Sequence, residues 1–309
     1  KPALSALILI AGCSSDQHYT IEESGGRTIV HNHSPRYAES PVSLSFVRQW
    51  GSVSPDEGGV LLGTPHDADL DAEDNLYILD TATNEVIKFS PDGKVILRFG
   101  GNGQGPGELA IPLRLVRIGR KIYIADLSTG IHVFSLEGEF LEKLEVPVKM
   151  AIPRMMDENT MIVPLIYRQA VSQNNKMISL FNRKGEKISS FCEPEPHTDP
   201  IKANSINGIN VIPDRKGNIL AVFLALNRMD KYDRNGNLLY TMDRDSPVKE
   251  FIRKAGKNPE HGFTEWERSY ITHSIQVDGR NRIWLVSFKK QPDEKKEYST
   301  SDIPDILMF

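Results

Sequence analysis

Along this chain short apolar runs alternate with polar turns, and the alternation returns five times. In the clearest copy, between Pro65 and Gly107, His66-Asp67-Ala68-Asp69-Leu70-Asp71 leads into Asn75-Leu76-Tyr77-Ile78-Leu79-Asp80. Glu85-Val86-Ile87-Lys88-Phe89 follows, then the turn Ser90-Pro91-Asp92-Gly93 and the run Val95-Ile96-Leu97-Arg98-Phe99-Gly100. Short apolar runs bounded by Asp, Asn, Gly and Pro predict strands, and the glycine closing each turn supplies the positive φ a tight hairpin needs. The second copy pairs residues 122–126 with 131–134 and turns at Ser135-Leu136-Glu137-Gly138. A looser third copy pairs 161–163 with 177–181, the fourth pairs 218–222 with 229–232, and the fifth runs from Ile271 through 282–286 to 305–309.

The step from Asp80 to Asp126, like that from Phe89 to Phe134, is nearly constant and close to the ~40–50 residues of a propeller blade. A repeat built only from strands cannot bury both faces alone, so its copies must pack on one another. The pattern therefore predicts an all-β chain, a six-bladed β-propeller. Residues 42–50 alternate as an outer strand that closes the ring, and the last blade is incomplete at Phe309. A five-bladed or open array is the alternative. One helical interruption is expected near 246–270. Ser246-Pro247 reads as a cap and first turn, 248–255 as the helix, Gly256 as its stop, and 263–270 as a further turn or two.

Composition narrows the function. The formal net charge is −4 over 309 residues, and no basic stripe interleaved with aromatics is present, which argues against nucleic acid as a partner. Residues 4–11 are apolar but far short of the ~20 residues that span a bilayer. They suit the apolar core of a secretion signal, and Ile10-Ala11-Gly12-Cys13 follows. This stretch resembles the lipobox of bacterial lipoproteins. The resemblance implies lipidation at Cys13 and, with Ser14 next, transfer to the outer membrane, the chain touching the membrane only through its lipid. The organisation expected is a signal segment at 1–13, a polar tether at 14–41 and the propeller at 42–309. Cys192, the one other cysteine, has no Cys-His pattern around it and reads as a structural thiol.

The run 75–80, the run 86–93 and Phe99-Gly100-Gly101-Asn102-Gly103-Gln104-Gly105-Pro106-Gly107-Glu108-Leu109 together resemble NHL-type repeats, as in six-bladed propeller lipoproteins of bacterial envelopes. The match is specific in the first two copies and degenerate in the third and fifth. The resemblance implies a propeller that binds something, without a known reaction.

Several constellations carry chemistry, each with a plainer reading. The glycine run at 101–107 superficially resembles a phosphate cradle, but strands follow it where a helix is needed, so it reads as a tight crossing between blades. The segments 67–71 and 233–237 are rich in Asp like calcium loops. Counting twelve positions from Asp233 reaches Arg244 where a calcium loop needs Glu, so both read as turns. His31 and His33 alternate on a strand and give a weak metal hint. Aligning the copies places His66, Arg114, Asn207 and His273 at equivalent entry positions, where they are expected to converge on the channel mouth as a ligand-binding site.

No catalytic residue set emerges: the chain has no nucleophile elbow and no HExxH. The expectation is a lipid-anchored envelope module that binds an envelope protein, a peptide or a glycan. It needs no cofactor, an axial calcium being the one ion considered. The competing expectation is a metal-dependent, lactonase-like hydrolase or lyase with its site at the channel, His66 and His273 serving as ligands or base.

Overall fold

The computed structural model describes residues 18–33, 45–46, 48–52, 60–148, 151–165, 176–198, 203–204, 206–244, 252–257, 264–268, 272–287 and 305–308. An N-terminal hairpin, β1 (Tyr19–Ser24) and β2 (Arg27–Asn32), comes first. The first repeat is the sheet β3 (Pro65–Leu70), β4 (Leu76–Asp80), β5 (Glu85–Phe89) and β6 (Val95–Gly100), paired in chain order. The second is β7 (Pro112–Ile118), β8 (Lys121–Asp126), β9 (Gly130–Ser135) and β10 (Phe140–Leu144). The third is β11 (Arg154–Asp157), β12 (Thr160–Pro164), β13 (Ile178–Asn182) and β14 (Lys187–Phe191). The fourth is β15 (Ile209–Pro213), β16 (Ile219–Phe223), β17 (Arg228–Tyr232) and β18 (Leu238–Arg244). A hairpin of β19 (Ile252–Lys257) and β20 (Thr264–Arg268) follows, then the sheet β21 (Thr272–Val277), β22 (Ile283–Ser287) and β23 (Asp305–Met308). All pairings within these repeats for which a register is given are antiparallel.

The chain forms two compact units. One comprises residues 42–163 with 179–188, the other 1–41, 164–178 and 189–309. In the first, both faces of the sheets are buried. Tyr77 and Leu79 point into a cluster with Val86, Leu109, Ile122 and Phe134, while Ile78, between them on β4, joins Ile87, Phe89 and Leu62 on the other face. Burial on both faces explains why the second strand of each repeat reads as a continuous apolar run rather than an alternating one. In the second unit, Ile212, Leu220, Val222, Met229, Ile275 and Leu285 form the corresponding cluster.

Two expectations are corrected. The segment 246–270 holds no helix among its described residues. Ile252–Lys257 and Thr264–Arg268 are strands, in a register that opposes Arg253 to Glu267 and Lys254 to Trp266. Ser246-Pro247 also opens turns, and a helix of two turns has too few hydrogen bonds to offset its nucleation, whereas strand pairing satisfies the backbone of both segments. Residues 45–46 and 48–50, within the segment expected as an outer strand, are not in strands. The sheet that gains strands is the fourth: β2 pairs in parallel with β18, Thr241↔Ile29 to Arg244↔Asn32, making a six-stranded sheet. The polar stretch between Tyr19 and Asn32 is thus a hairpin added to that sheet.

Candidate functional site

The first strand of each sheet has one edge without a sheet partner, and its amides need acceptors. In the first unit β3 supplies them to β7. The Leu115 amide donates to Asp67 Oδ2 at 3.0 Å and the Arg117 amide to Asp69 Oδ2 at 2.8 Å. The Arg117 side chain returns the tie, its Nε donating to the Leu70 carbonyl at 2.7 Å. The alternating Asp67 and Asp69 are therefore edge acceptors. Asp71 belongs to the next turn, accepting from the Glu73 and Asn75 amides, the Asn75 side chain and the buried Tyr77 hydroxyl. Burial works against its charge, but Asn75, Tyr77 and Lys88 outweigh that and hold it below the ordinary carboxylate range.

The third repeat contributes β11 beside β7. Arg114 of β7 and Arg154 of β11 line one small recess, floored by Leu115, Ala125, Ile131 and Met155, with about 220 Å³ of empty space open to solvent. Arg154 is half-buried, and protein packed around its guanidinium lowers its pKa from the usual arginine value. Asp67 opposes that shift, Arg114 reinforces it, and Asp69 opposes it. An arginine stays protonated through such shifts, so both side chains keep their charge. Among the described residues neither guanidinium has an ion pair or hydrogen bond.

The residues expected to converge are placed as follows. His66 is exposed on β3, at a β-bulge between the pairs Pro65↔Asp80 and Asp67↔Leu79. The bulge on β7 lies between Pro112↔Asp126 and Arg114↔Ala125, so Leu113 is the counterpart of His66, and Arg114 that of Asp67. His273 sits at the bulge of β21, between Thr272↔Ser287 and Ser274↔Val286. His66 and His273 thus share a register position, and Arg114 lies one place further on. Bulges of this kind re-aim a side chain at the end of a strand.

Asn207 is buried, and its amide is spent on the backbone. It accepts from the Glu195 amide at 2.7 Å and donates to the carbonyls of Glu195 and Ala203 at 2.9 and 2.8 Å. Cys13 lies outside the described residues. Arg154 was missed in the sequence because the third copy is loose, although Pro153-Arg154 repeats the Pro-then-Arg spacing of Pro112-Leu113-Arg114 with one residue fewer.

Other sequence features find structural employment. The glycine run at 101–107 holds its own anion: Glu108 Oε2 accepts from the Gly105 amide at 2.9 Å, and a Cβ on Gly103 would lie 1.9 Å from that oxygen. Asp233 accepts from the Asn235 and Asn237 amides and the Asn237 side chain, the geometry of a turn. Among the described residues no group of three or more His, Cys, Asp or Glu side chains is arranged to hold a metal. Cys192 is buried, and burial pushes its thiol up to about 12, which suits an inert thiol at neutral pH. His31 bridges two carboxylates, its Nδ1 2.7 Å from Asp243 Oδ2 and its Nε2 3.1 Å from Glu22 Oε2. Burial works against its proton, but Glu22 and Asp243 outweigh that and raise its pKa above the ordinary 6.5.

The model of the family DUF5128, described as a 6-bladed beta-propeller, matches residues 60–298. No curated protein matches the chain. Among solved structures, a Bacteroides fragilis NCTC 9343 protein, BF0058, is 13% identical, with a TM-score of 0.54 and coverage of 91% of this chain and 80% of its own. A member of the duf4221 family from Bacteroides vulgatus is 11% identical, with a TM-score of 0.51 and coverage of 80% and 78%. Virginiamycin B lyase from Staphylococcus aureus is 12% identical, with a TM-score of 0.45 and coverage of 80% and 69%. Identities at this level speak to the fold alone.

Proposed function

The chain belongs to the 6-bladed beta-propeller family DUF5128, and from that premise we propose that it is a binding module of the bacterial cell envelope, fastened to the outer membrane by lipid on Cys13. Its ligand is an envelope protein, a peptide segment or a glycan, taken up at the first strands of the early repeats.

The supporting observation is the placement of His66, Asp67, Asp69, Arg114 and Arg154 on β3, β7 and β11, above a core that is apolar on both faces of its sheets. Strands held rigid by such a core keep polar side chains in fixed positions, the condition for recognition at low entropic cost. Within the group, Asp67 and Asp69 are already used by backbone amides. His66, Arg114 and Arg154 remain as the groups that can meet a ligand.

The test uses the chain immobilised and exposed to solubilised native envelopes. A partner retained by the wild type and lost when His66, Arg114 and Arg154 are replaced together by Ala, Gln and Lys supports the reading. Retention by wild type and variant alike, or by neither, overturns it. For the anchor, metabolic labelling with a fatty acid in a bacterial host is expected to mark the wild type and leave Cys13→Ala unlabelled.

A further inference from the structure

We infer that Arg114 and Arg154 together form a site for a monoanionic carboxylate, the group through which an acidic ligand enters the recess between β7 and β11. The inference rests on the binding-module reading and gives its ligand a chemical class.

Three observations carry it. The first is the arrangement of charge. Two arginines from adjacent first strands line one recess, and among the described residues neither has an ion pair or hydrogen bond of its own. Other part-buried cations of the same unit are engaged: Lys88 with Asp71 at 3.4 Å, Lys121 with Glu158 at 2.9 Å, and Arg183 with Glu142. Like charges held together in half-buried positions repel, and an anion between them removes the repulsion. The crowding that lowers the pKa of Arg154 also reduces solvent screening of any anion it meets.

The second is the charge count. Asp67 and Asp69 act on Arg154 from β3, so the charge of Arg154 is already partly offset. A doubly charged phosphate would carry the site well into negative charge and face both aspartates, whereas a single negative charge would not. The third is size. The recess is far smaller than the ~300–1,000 Å³ of a whole small-molecule pocket, so no more than one end group of a ligand can reach it. A planar carboxylate matches the guanidinium fork, which donates two parallel hydrogen bonds to it.

The carboxylate has two sources, a small free acid or a sugar acid, and the probes separate them. The full chain is titrated by calorimetry in low-salt buffer with acetate, with glucuronate and with inorganic phosphate. Saturable binding of one or both carboxylates, at least about tenfold tighter than phosphate, is expected. Tighter glucuronate identifies a sugar acid, and equal or tighter acetate a small free acid. Arg114→Gln is expected to weaken the preferred acid by about tenfold or more, the effect of losing a charge-assisted hydrogen bond. Arg154→Lys keeps the charge but loses the fork and is expected to weaken it as well. Should Arg154→Lys fail to fold, the partly exposed Arg114→Gln decides alone. No saturable binding of either acid, phosphate bound as tightly, or an unchanged Arg114→Gln overturns the site. If the envelope partner is still captured in a way that depends on His66, Arg114 and Arg154 while neither acid binds, the carboxylate inference falls and the binding-module reading stands.

Discussion

The ends of β4 and β8 and the middle of β17 solve one problem, a charged side chain inside an apolar sheet, in two ways. At the end of β4, Asp80 Oδ2 accepts from the Gly63 amide at 2.6 Å, and its Oδ1 from the amides of Thr64 and Ala82 at 2.8 and 3.0 Å. At the end of β8, Asp126 repeats the device on Ala110, Ile111, Ser128 and Thr129. On β17 the fully buried Asp230 instead meets side chains. Arg228 donates to it through Nε at 3.0 Å and Nη2 at 2.6 Å, and Tyr232 and Thr241 each donate a hydroxyl at 2.9 Å. Arg228 also stacks on Phe223, its guanidinium carbon 4.4 Å from the ring centre, and reaches Glu195 at 3.2 Å. Burial works against the charge of Arg228, but Asp230 outweighs it and raises the pKa above the ordinary arginine value. A backbone clamp uses partners every sequence has, so it can recur from repeat to repeat. The network of Arg228, Tyr232 and Thr241 on Asp230 needs several particular residues at once and, among the described residues, is seen in the fourth repeat.

The comparison breaks most visibly at Asp230. Asp230→Ala removes two of the bonds that Arg228 donates and leaves the buried guanidinium with Glu195 alone, and a loss of about 3 kcal/mol in urea unfolding is expected. Replacing Arg228 and Asp230 together by Met and Leu is expected to recover much of it. A single Asp230→Ala that costs no more than a surface change would show the network to be incidental.

Next comes the backbone clamp. Asp126→Ala strands several amides and is expected to cost about 3 kcal/mol, with Asp80→Ala close behind. The Asp126 contribution has a sign in pH. Burial works against its charge, but the amides of Ala110, Ile111 and Ser128 outweigh it and lower its pKa below the ordinary 3.8. That stability is present above pH 3.8 and is lost as pH falls through the depressed value, so wild type and Asp126→Ala should converge in acid. Curves that stay parallel would sink the assignment.

Gly236 sharpens the comparison from the turn that follows β17. Its φ is +90°, and a Cβ there would lie 2.2 Å from Phe191 Cδ1. Gly236→Ala is expected to cost about 2 kcal/mol. Gly217 has φ +79° but open space around it, so Gly217→Ala should cost less by the steric part.

The smallest effect is expected at His31, which ties the N-terminal hairpin to β18. His31→Gln should cost about 0.5–1 kcal/mol, because both carboxylates are partly exposed. With a raised pKa, the charge contribution of His31 is fully present below pH 6.5 and is lost as pH rises through the raised value. Protection of the β2 amides, taken relative to their intrinsic exchange rates, should therefore fall above pH 6.5 in the wild type and lose that fall in His31→Gln. A pH dependence unchanged by the substitution would remove His31 as its cause.

Much of this was legible in the chain. Turn residues and apolar runs located the central strands of the copies, and the nearly constant step from Asp80 to Asp126 and from Phe89 to Phe134 already marked them as equivalent. Such features are local: a turn or clamp is satisfied by backbone a few to a few tens of residues away, so each repeat carries its own copy of the signal. The sheet extension at β2–β18 and the strands at 252–257 and 264–268 were not legible. A short polar hairpin and an ambiguous segment take the conformation that an available partner strand rewards. Sequence alone fixed Arg114 as a candidate, since its repeat is regular. Only the tertiary structure set Arg154 beside it, moved His66 and His273 to the bulge register and committed Asn207 to backbone, because which polar groups are left over is known only once the backbone has taken its share.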